Sequence, residues 1–265
     1  MDLGTPFSDQ DIIGLAGPVR AIAEAAGDAI METQSRGYDV TKKEDRTPVT
    51  DADHAAEAAI LPALRELTPG VPILSEEAAA KGDIPKVGLD PIWVVDPLDG
   101  TREFVEGGTE FAVCIGLLVG RLPVFGLLHG PAMGLTYWTA GRRTAMRARH
   151  GGAGEPVHGR PVPASGPTVV TSRFHGDSKR LAAYLEASGM TDRIFMSSAL
   201  KFGLLADGTA DLYPRFGPTS EWDTAAGQAI LSAAGGSVTT LDGEVLGYGK
   251  PNFLNPDFLA RGSDG

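Results

Sequence analysis

The stretch Trp93-Val-Val-Asp-Pro-Leu-Asp-Gly-Thr101 constrains this chain more than any other. An apolar run of strand composition delivers Asp96 at its carboxyl end. Pro97 cannot donate to a β-ladder, which predicts a turn at that point. Asp99 follows three residues on, Gly100 permits close backbone approach, and Thr101 opens a short helix predicted over 101–106. Two carboxylates therefore stand beside the unpaired N–H groups of a helix start. Hard oxygen ligands suit Mg2+, and such amides suit a phosphate. The carbonyl of Leu98, between the two acids, could face the same cation. A turn alone explains one Asp-Gly-Thr tripeptide but not the whole string.

Three further acidic sites stand in similar places. Ile73-Leu-Ser-Glu-Glu77 ends an apolar run with two carboxylates, and Ser220-Glu-Trp-Asp-Thr-Ala-Ala-Gly227 puts Glu221 and Asp223 before a small-residue helix. Thr47-Pro-Val-Thr-Asp-Ala-Asp53 places acids at the start of another helix. Each acid taken singly is explained as a helix cap or a partner for the helix dipole. Four such clusters brought together would repel one another, and cations are what let them ionise side by side. Two or three Mg2+ ions would do so, and paired metals perform in-line phosphoryl displacement.

Charge and composition narrow the partners. The 265 residues carry 23 Lys and Arg against 34 Asp and Glu, a formal net charge of −11. That argues against nucleic acid, which needs a clustered basic surface, and leaves a phosphorylated small molecule open, because bound metal can invert the field locally. With 42% hydrophobic and 22% charged residues the chain is an ordinary globular one, not a disordered one. The single cysteine, Cys114, lies in an apolar run, excludes an intrachain disulfide and reads as a small buried hydrophobe. No basic, then apolar, leader is visible at Met1-Asp-Leu-Gly-Thr-Pro-Phe7. The uncharged stretch 122–141 contains Pro123, Gly126, Gly130, Pro131 and Gly134, so it reads as two short strands and a turn, not an integral membrane segment. A cytoplasmic location is expected, with peripheral contact at the inner membrane as an alternative, and a monomer and a homodimer are both open.

Two patterns of periodicity organise the chain. Ser8 caps a helix whose apolar residues recur at Ile12, Ala16, Val19, Ala23, Ala26 and Ile30 and which stops near Gly37. The polar stretch 41–48 reads as a mobile loop. A second helix is predicted from 51 to about 67, with a kink or early end at Pro62. Strands are predicted over 71–74, 91–95, 111–119, 122–128 and 135–139, the last three antiparallel. The glycine-rich stretch 150–156 marks a boundary between an N-terminal α+β half, 1–155, carrying the metal motifs, and a C-terminal α/β half, 156–265, the two forming one compact catalytic unit. In the second half strand and helix alternate over 168–171, 178–187, 193–196, 198–206, 211–213, 224–234 and 237–239.

Asp96-Pro-Leu-Asp-Gly-Thr101 followed by Trp222-Asp-Thr-Ala-Ala-Gly227 resembles the inositol monophosphatase superfamily of Mg2+-dependent, lithium-sensitive phosphatases. Glu76-Glu77 and Val49-Thr-Asp-Ala-Asp53 fall in that family's order, and the match covers most of the chain. Arg102-Glu103-Phe104, Ser197-Ser-Ala-Leu-Lys-Phe202 and Leu212-Tyr-Pro-Arg-Phe-Gly-Pro218 are similar to its bacterial 3'(2'),5'-bisphosphate nucleotidase branch. The resemblance implies a layered αβαβα sandwich of the sugar-phosphatase type. It implies removal of the 3'-phosphate of adenosine 3',5'-bisphosphate to give AMP, with the sulfated analogue as a second substrate. Metal ligands are then expected at Glu76, Asp96, the Leu98 carbonyl, Asp99 and Asp223. Asp53 and Thr101, supported by Thr47, would activate water. Gly100, Thr101, Ser198, Lys201, Arg215 and Asp223 would face the substrate, with Lys201 and Arg215 suited to a second phosphate.

Three rivals follow. The same fold could serve inositol phosphate, fructose bisphosphate or histidinol phosphate. A phosphatase with an aspartyl nucleophile would show Asp-x-Asp, whereas Asp96 and Asp99 are three apart. A non-catalytic metal- or nucleotide-binding module would have little use for Asp53 and Thr101.

Overall fold

The computed structural model describes residues 7–42, 48–85, 91–173 and 178–263. Helix α1 (Asp9–Arg36) opens on a capping box: the Asp11 N–H donates to Ser8 Oγ, and the Ser8 N–H donates to Asp11 Oδ2 at 2.8 Å. It ends where Gly37 takes φ +83°. Strands β1 (Val40–Lys42) and β2 (Pro48–Thr50) pair antiparallel in the stretch read as a loop. Its sparse apolar content hid the pairing at its two ends, and residues 43–47 between them lie outside the described residues. Helix α2 (Asp51–Leu67) does not end early at Pro62. That residue sits on the exposed face, where a lost backbone bond costs least.

Strands β3 (Ile73–Ser75), β4 (Ile92–Asp99), β5 (Ala112–Val119), β6 (Leu122–Gly130), β7 (Leu135–Thr139), β8 (Ala145–Arg149) and β9 (Glu155–Val157) form one seven-stranded sheet in that order. Short helices α3 (Glu76–Ala80) and α4 (Thr101–Val105) follow β3 and β4. The β3–β4 pair is parallel and the others are antiparallel. Then come β10 (Val169–Thr171), α5 (Ser178–Ala187), β11 (Arg193–Phe195), α6 (Leu200–Ala206), β12 (Leu212–Arg215), α7 (Ala225–Ala233), β13 (Ser237–Thr240) and β14 (Phe258–Arg261). The second sheet has the order β11-β10-β12-β14-β13.

Strand β5 shows why the layers stack as they do. Val113, Ile115 and Leu117 share a cluster with Ile12, Val19 and Ile60 of α1 and α2. Ala112 and Cys114, on the opposite face, share one with Phe202 and Ile230 of α6 and α7. A strand covered on both faces reads as a continuous apolar run. Helices α6 and α7 also touch the five-stranded sheet, whose outer face is covered by Leu181, Tyr184 and Leu185 of α5. The layers are thus helix, sheet, helix, sheet, helix, the expected αβαβα sandwich. Small residues bring α7 close: a Cβ on Gly126 would stand 2.1 Å from the Ala226 carbonyl oxygen. Among the described residues no helix is long and apolar enough to cross a membrane.

Candidate active site

Strand β4 carries the first two acids, and it does not stop at Pro97. It stays paired with β5 through Asp96↔Cys114 and Asp99↔Ala112, with a register shift between. The proline falls inside that irregularity, where no ladder bond is asked of it, so the expected turn is a bulge instead. The Leu98 N–H donates to Asp96 Oδ1 at 3.0 Å, fixing the carboxylate at the strand end. Gly100 then reverses the chain with φ +93°, and a Cβ there would lie 3.3 Å from the Glu110 carbonyl oxygen and Phe111 Cα. Helix α4 starts at once with Thr101.

Asp53 arrives from α2 through helix capping. Its Oδ2 accepts the N–H and hydroxyl of Thr50 at 2.7 and 2.8 Å. The other oxygen, Oδ1, lies 3.1 Å from the hydroxyl of Thr101, which is also 3.0 Å from the Leu98 carbonyl. The cap thus spends one oxygen and aims the other at the site.

Glu76 is brought beside Asp96 by the parallel pairing of β3 on β4, Ser75 standing opposite Val95. Asp223 precedes α7, and its Oδ2 accepts the Ser220 N–H at 2.9 Å. Glu76, Asp96 and Asp223 each bring a carboxylate oxygen within 4.8 Å of the others. Burial holds the Asp223 carboxyl well above the ordinary range, and the charges of Asp99 and Glu76 push the same way. Asp99 is also raised by burial, against the opposing pull of Lys201. Three converging acids, one carrying so strong a penalty for ionising, fit a bound hard cation: all donors are oxygens, and a positive charge removes the repulsion.

The facing wall is cationic. Ser198 lies just before α6 in a left-handed conformation, φ +57°, and is buried. The Lys201 ammonium donates to its carbonyl and sits 5.1 Å from the centre of the Tyr213 ring. Burial lowers Lys201 to about 8, although Asp99 pulls it upward. Arg215, at the end of β12, donates from Nε to Thr219 Oγ1 at 2.6 Å and from a terminal nitrogen to the Pro218 carbonyl at 2.7 Å. A cavity of about 540 Å³ lies between the walls. Its lining includes Glu76, Asp96, Leu98, Asp99, Gly100, Thr101, Ser198, Lys201, Arg215 and Asp223.

Of the other residues singled out from the sequence, Asp53 stands behind Thr101, and Thr47 lies outside the described residues. Glu221 turns away: its two oxygens accept the Gly249 and Lys250 N–H groups, and Lys250 Nζ lies 2.7 Å from it. Sequence reasoning missed Ser172, Ser197 and Glu103 as wall residues. Glu103 and Ser197 stood inside the strings used for the resemblance, but nothing local says they meet.

The arrangement fits a phosphatase, and the chain belongs to the inositol monophosphatase family, whose model matches residues 15–262. The chain is 42% identical over 240 residues to the 3'(2'),5'-bisphosphate nucleotidase CysQ of Escherichia coli, covering 89% of this chain and 95% of that protein. The CysQ of Buchnera aphidicola is 38% identical over 244 residues, with 90% of each covered. Among solved structures, CysQ from Bacteroides thetaiotaomicron superposes with a TM-score of 0.75 at 32% identity, over 93% of this chain and 98% of that one. The suhB protein of Bartonella henselae, 21% identical, shares the fold with a TM-score of 0.71 over 95% and 94%.

Proposed function

We propose that the chain is a Mg2+-dependent 3'(2'),5'-bisphosphate nucleotidase. It would remove the 3'-phosphate of adenosine 3',5'-bisphosphate to give AMP, and accept the 5'-phosphosulfate analogue. Such activity would serve sulfur metabolism and be inhibited by lithium. The carrying observation is the pair Lys201 and Arg215, both buried, on the wall facing the carboxylates. A substrate with one phosphate to lose needs no such pair, whereas a second phosphate does. The high identity to CysQ proteins over nearly the whole chain supports the same reading.

Glu76, Asp96, Asp99, the Leu98 carbonyl and Asp223 would hold two or three Mg2+ ions. When bound, the ions would neutralise the phosphate and acidify a water. The chain's own residues do the rest. The Thr101 hydroxyl receives the proton of the attacking water and relays it toward Asp53 Oδ1, which stands 3.1 Å away. Thr50 keeps Asp53 from turning, and Thr47 is assigned a supporting role. The amides of Gly100 and Thr101 hold the scissile phosphate, while Ser198, Lys201 and Arg215 grip the other end of the nucleotide. The halves 1–155 and 156–265 act as one catalytic unit, Asp223 of the second completing the carboxylate group that Glu76 and Asp96 of the first begin.

The test is phosphate release from adenosine bisphosphate, its sulfated analogue, inositol phosphate and fructose bisphosphate side by side, with and without lithium. Preference for the two adenosine compounds, lost in Arg215→Ala, is expected. Preference for inositol phosphate, unaffected by Arg215→Ala, would overturn the proposal.

A further inference from the structure

One three-residue segment of the second half is gripped by carboxylates of the first. The Ser197 N–H donates to Glu110 Oε2 and the Ser197 hydroxyl to Glu103 Oε2, both at 2.9 Å. The Ala199 N–H donates to Asp99. Between these anchors Ser198 holds its left-handed backbone, a conformation that persists only where surroundings over-determine it. Its carbonyl in turn receives the Lys201 ammonium. Glu110 is itself held by Arg173, whose guanidinium reaches it at 2.8 Å. The chain of contacts therefore runs from Glu103 and Glu110 through Ser197 to Ser198 and Lys201. None of Glu103, Ser197 and Glu110 is needed at the carboxylate end of the cavity.

We propose that Ser197, latched by Glu103 and Glu110, is a positioning residue that sets the preference for a substrate with a second phosphate. The inference rests on the bisphosphate nucleotidase reading. The latch joins α4, which opens beside the scissile end, to the segment that presents Ser198 and Lys201 at the other. It fixes the distance between the two ends of the site, and that distance separates a nucleotide bisphosphate from a monophosphate. Removing the Ser197 hydroxyl breaks the bond to Glu103 and loosens the segment, while the backbone bonds of Ser197 to Glu110 and of Ala199 to Asp99 stay in place and keep the scissile end as it is.

The experiment compares kcat and KM for adenosine 3',5'-bisphosphate and adenosine 3'-monophosphate, which share the scissile ester and differ in the second phosphate. Wild type, Ser197→Ala and Ser197→Thr are measured, with Tm and the Mg2+ concentration for half-activation recorded for each. Ser197→Ala should raise KM for the bisphosphate about tenfold, the loss expected for one hydrogen bond to a charged group. KM for the monophosphate and the Mg2+ requirement should stay within about twofold, and Ser197→Thr should restore the preference. A wild-type preference that survives in Ser197→Ala, with both substrates slowed together, overturns the latch and leaves the nucleotidase reading standing. A wild type that does not distinguish the two substrates overturns both. If Ser197→Ala is insoluble, Glu103→Ala removes the same bond from the other side and is judged by the same ratio.

Discussion

The hydroxyl of Thr101 lies 3.1 Å from Asp53 Oδ1, across 48 positions of sequence. The contact exists because the N-cap of α2 fixes one Asp53 oxygen and Gly100 starts α4 at the end of β4. It joins a helix cap to the residue proposed to face the phosphate, and it is the proton path in the proposed reaction.

Breaking that path should cost rate and leave the fold intact. Asp53→Asn keeps a cap acceptor but is a poor proton acceptor, so kcat should fall about 100-fold or more, in the range for a positioned general base. Thr101→Val should fall similarly. Steady-state rates on adenosine 3',5'-bisphosphate, with circular dichroism as a check on folding, decide it. Near-normal turnover in both would remove the pair from the chemistry.

In metal-free buffer the acid cluster should weaken the fold as pH rises. The Asp223 carboxyl binds its proton more tightly in the folded chain than at its ordinary 3.8. Stability from that proton is complete below 3.8 and is lost as pH climbs toward the folded value. Tm in chelator should therefore decline above about pH 4, and Asp223→Asn should flatten the decline and raise Tm at pH 7.5 by a few degrees. Mg2+ should raise the wild-type Tm more than that of Asp223→Asn. Thermal melts across pH with and without Mg2+ test this, and a wild-type Tm indifferent to Mg2+ would contradict it.

Lys201 should set an alkaline limb. Its ammonium, lowered to about 8 by burial, is charged below that pH and neutral above it. kcat/KM for the bisphosphate should therefore drop above about pH 8, and Lys201→Met should remove the limb along with most of the affinity. The corresponding profile for adenosine 3'-monophosphate should lack it.

Gly126 should tolerate no side chain. The Cβ of Gly126→Ala would meet the backbone carbonyl of Ala226 at 2.1 Å, and backbone cannot swing away. The change should destabilise by about 3 kcal/mol, the upper end for overpacked interiors, as read from urea midpoints. Unchanged stability would mean α7 does not sit as closely on β6.

Much of this was legible because the signals were local. The apolar runs of β5, β6 and β7 and the capped α1 are carried by consecutive residues, and so are the acids at the ends of β3 and β4. Strand β8 was hidden because Arg147 and Arg149 alternate with small residues, and β14 because it is four residues that pair only with distant β12 and β13. Pro97 misled because a proline inside a bulge and a proline in a turn look alike in one dimension. At the site, residue type and spacing exposed Asp96, Asp99 and Asp223, but not which neighbouring acid would turn inward. Glu221 had as strong a claim as Asp223 until the Gly249 and Lys250 amides claimed it. The Glu103–Ser197 bond spans 94 positions, a relation no local pattern encodes.

The central claim is that acids from separate stretches gather around divalent cations to hydrolyse a nucleotide phosphate. Phosphate release from adenosine 3',5'-bisphosphate by the purified protein, titrated with Mg2+ after exhaustive chelation, tests it most directly. Turnover should vanish in chelator, return with Mg2+ in wild type and stay absent in Asp99→Asn. Undiminished turnover in chelator, or full activity in Asp99→Asn, would contradict the account.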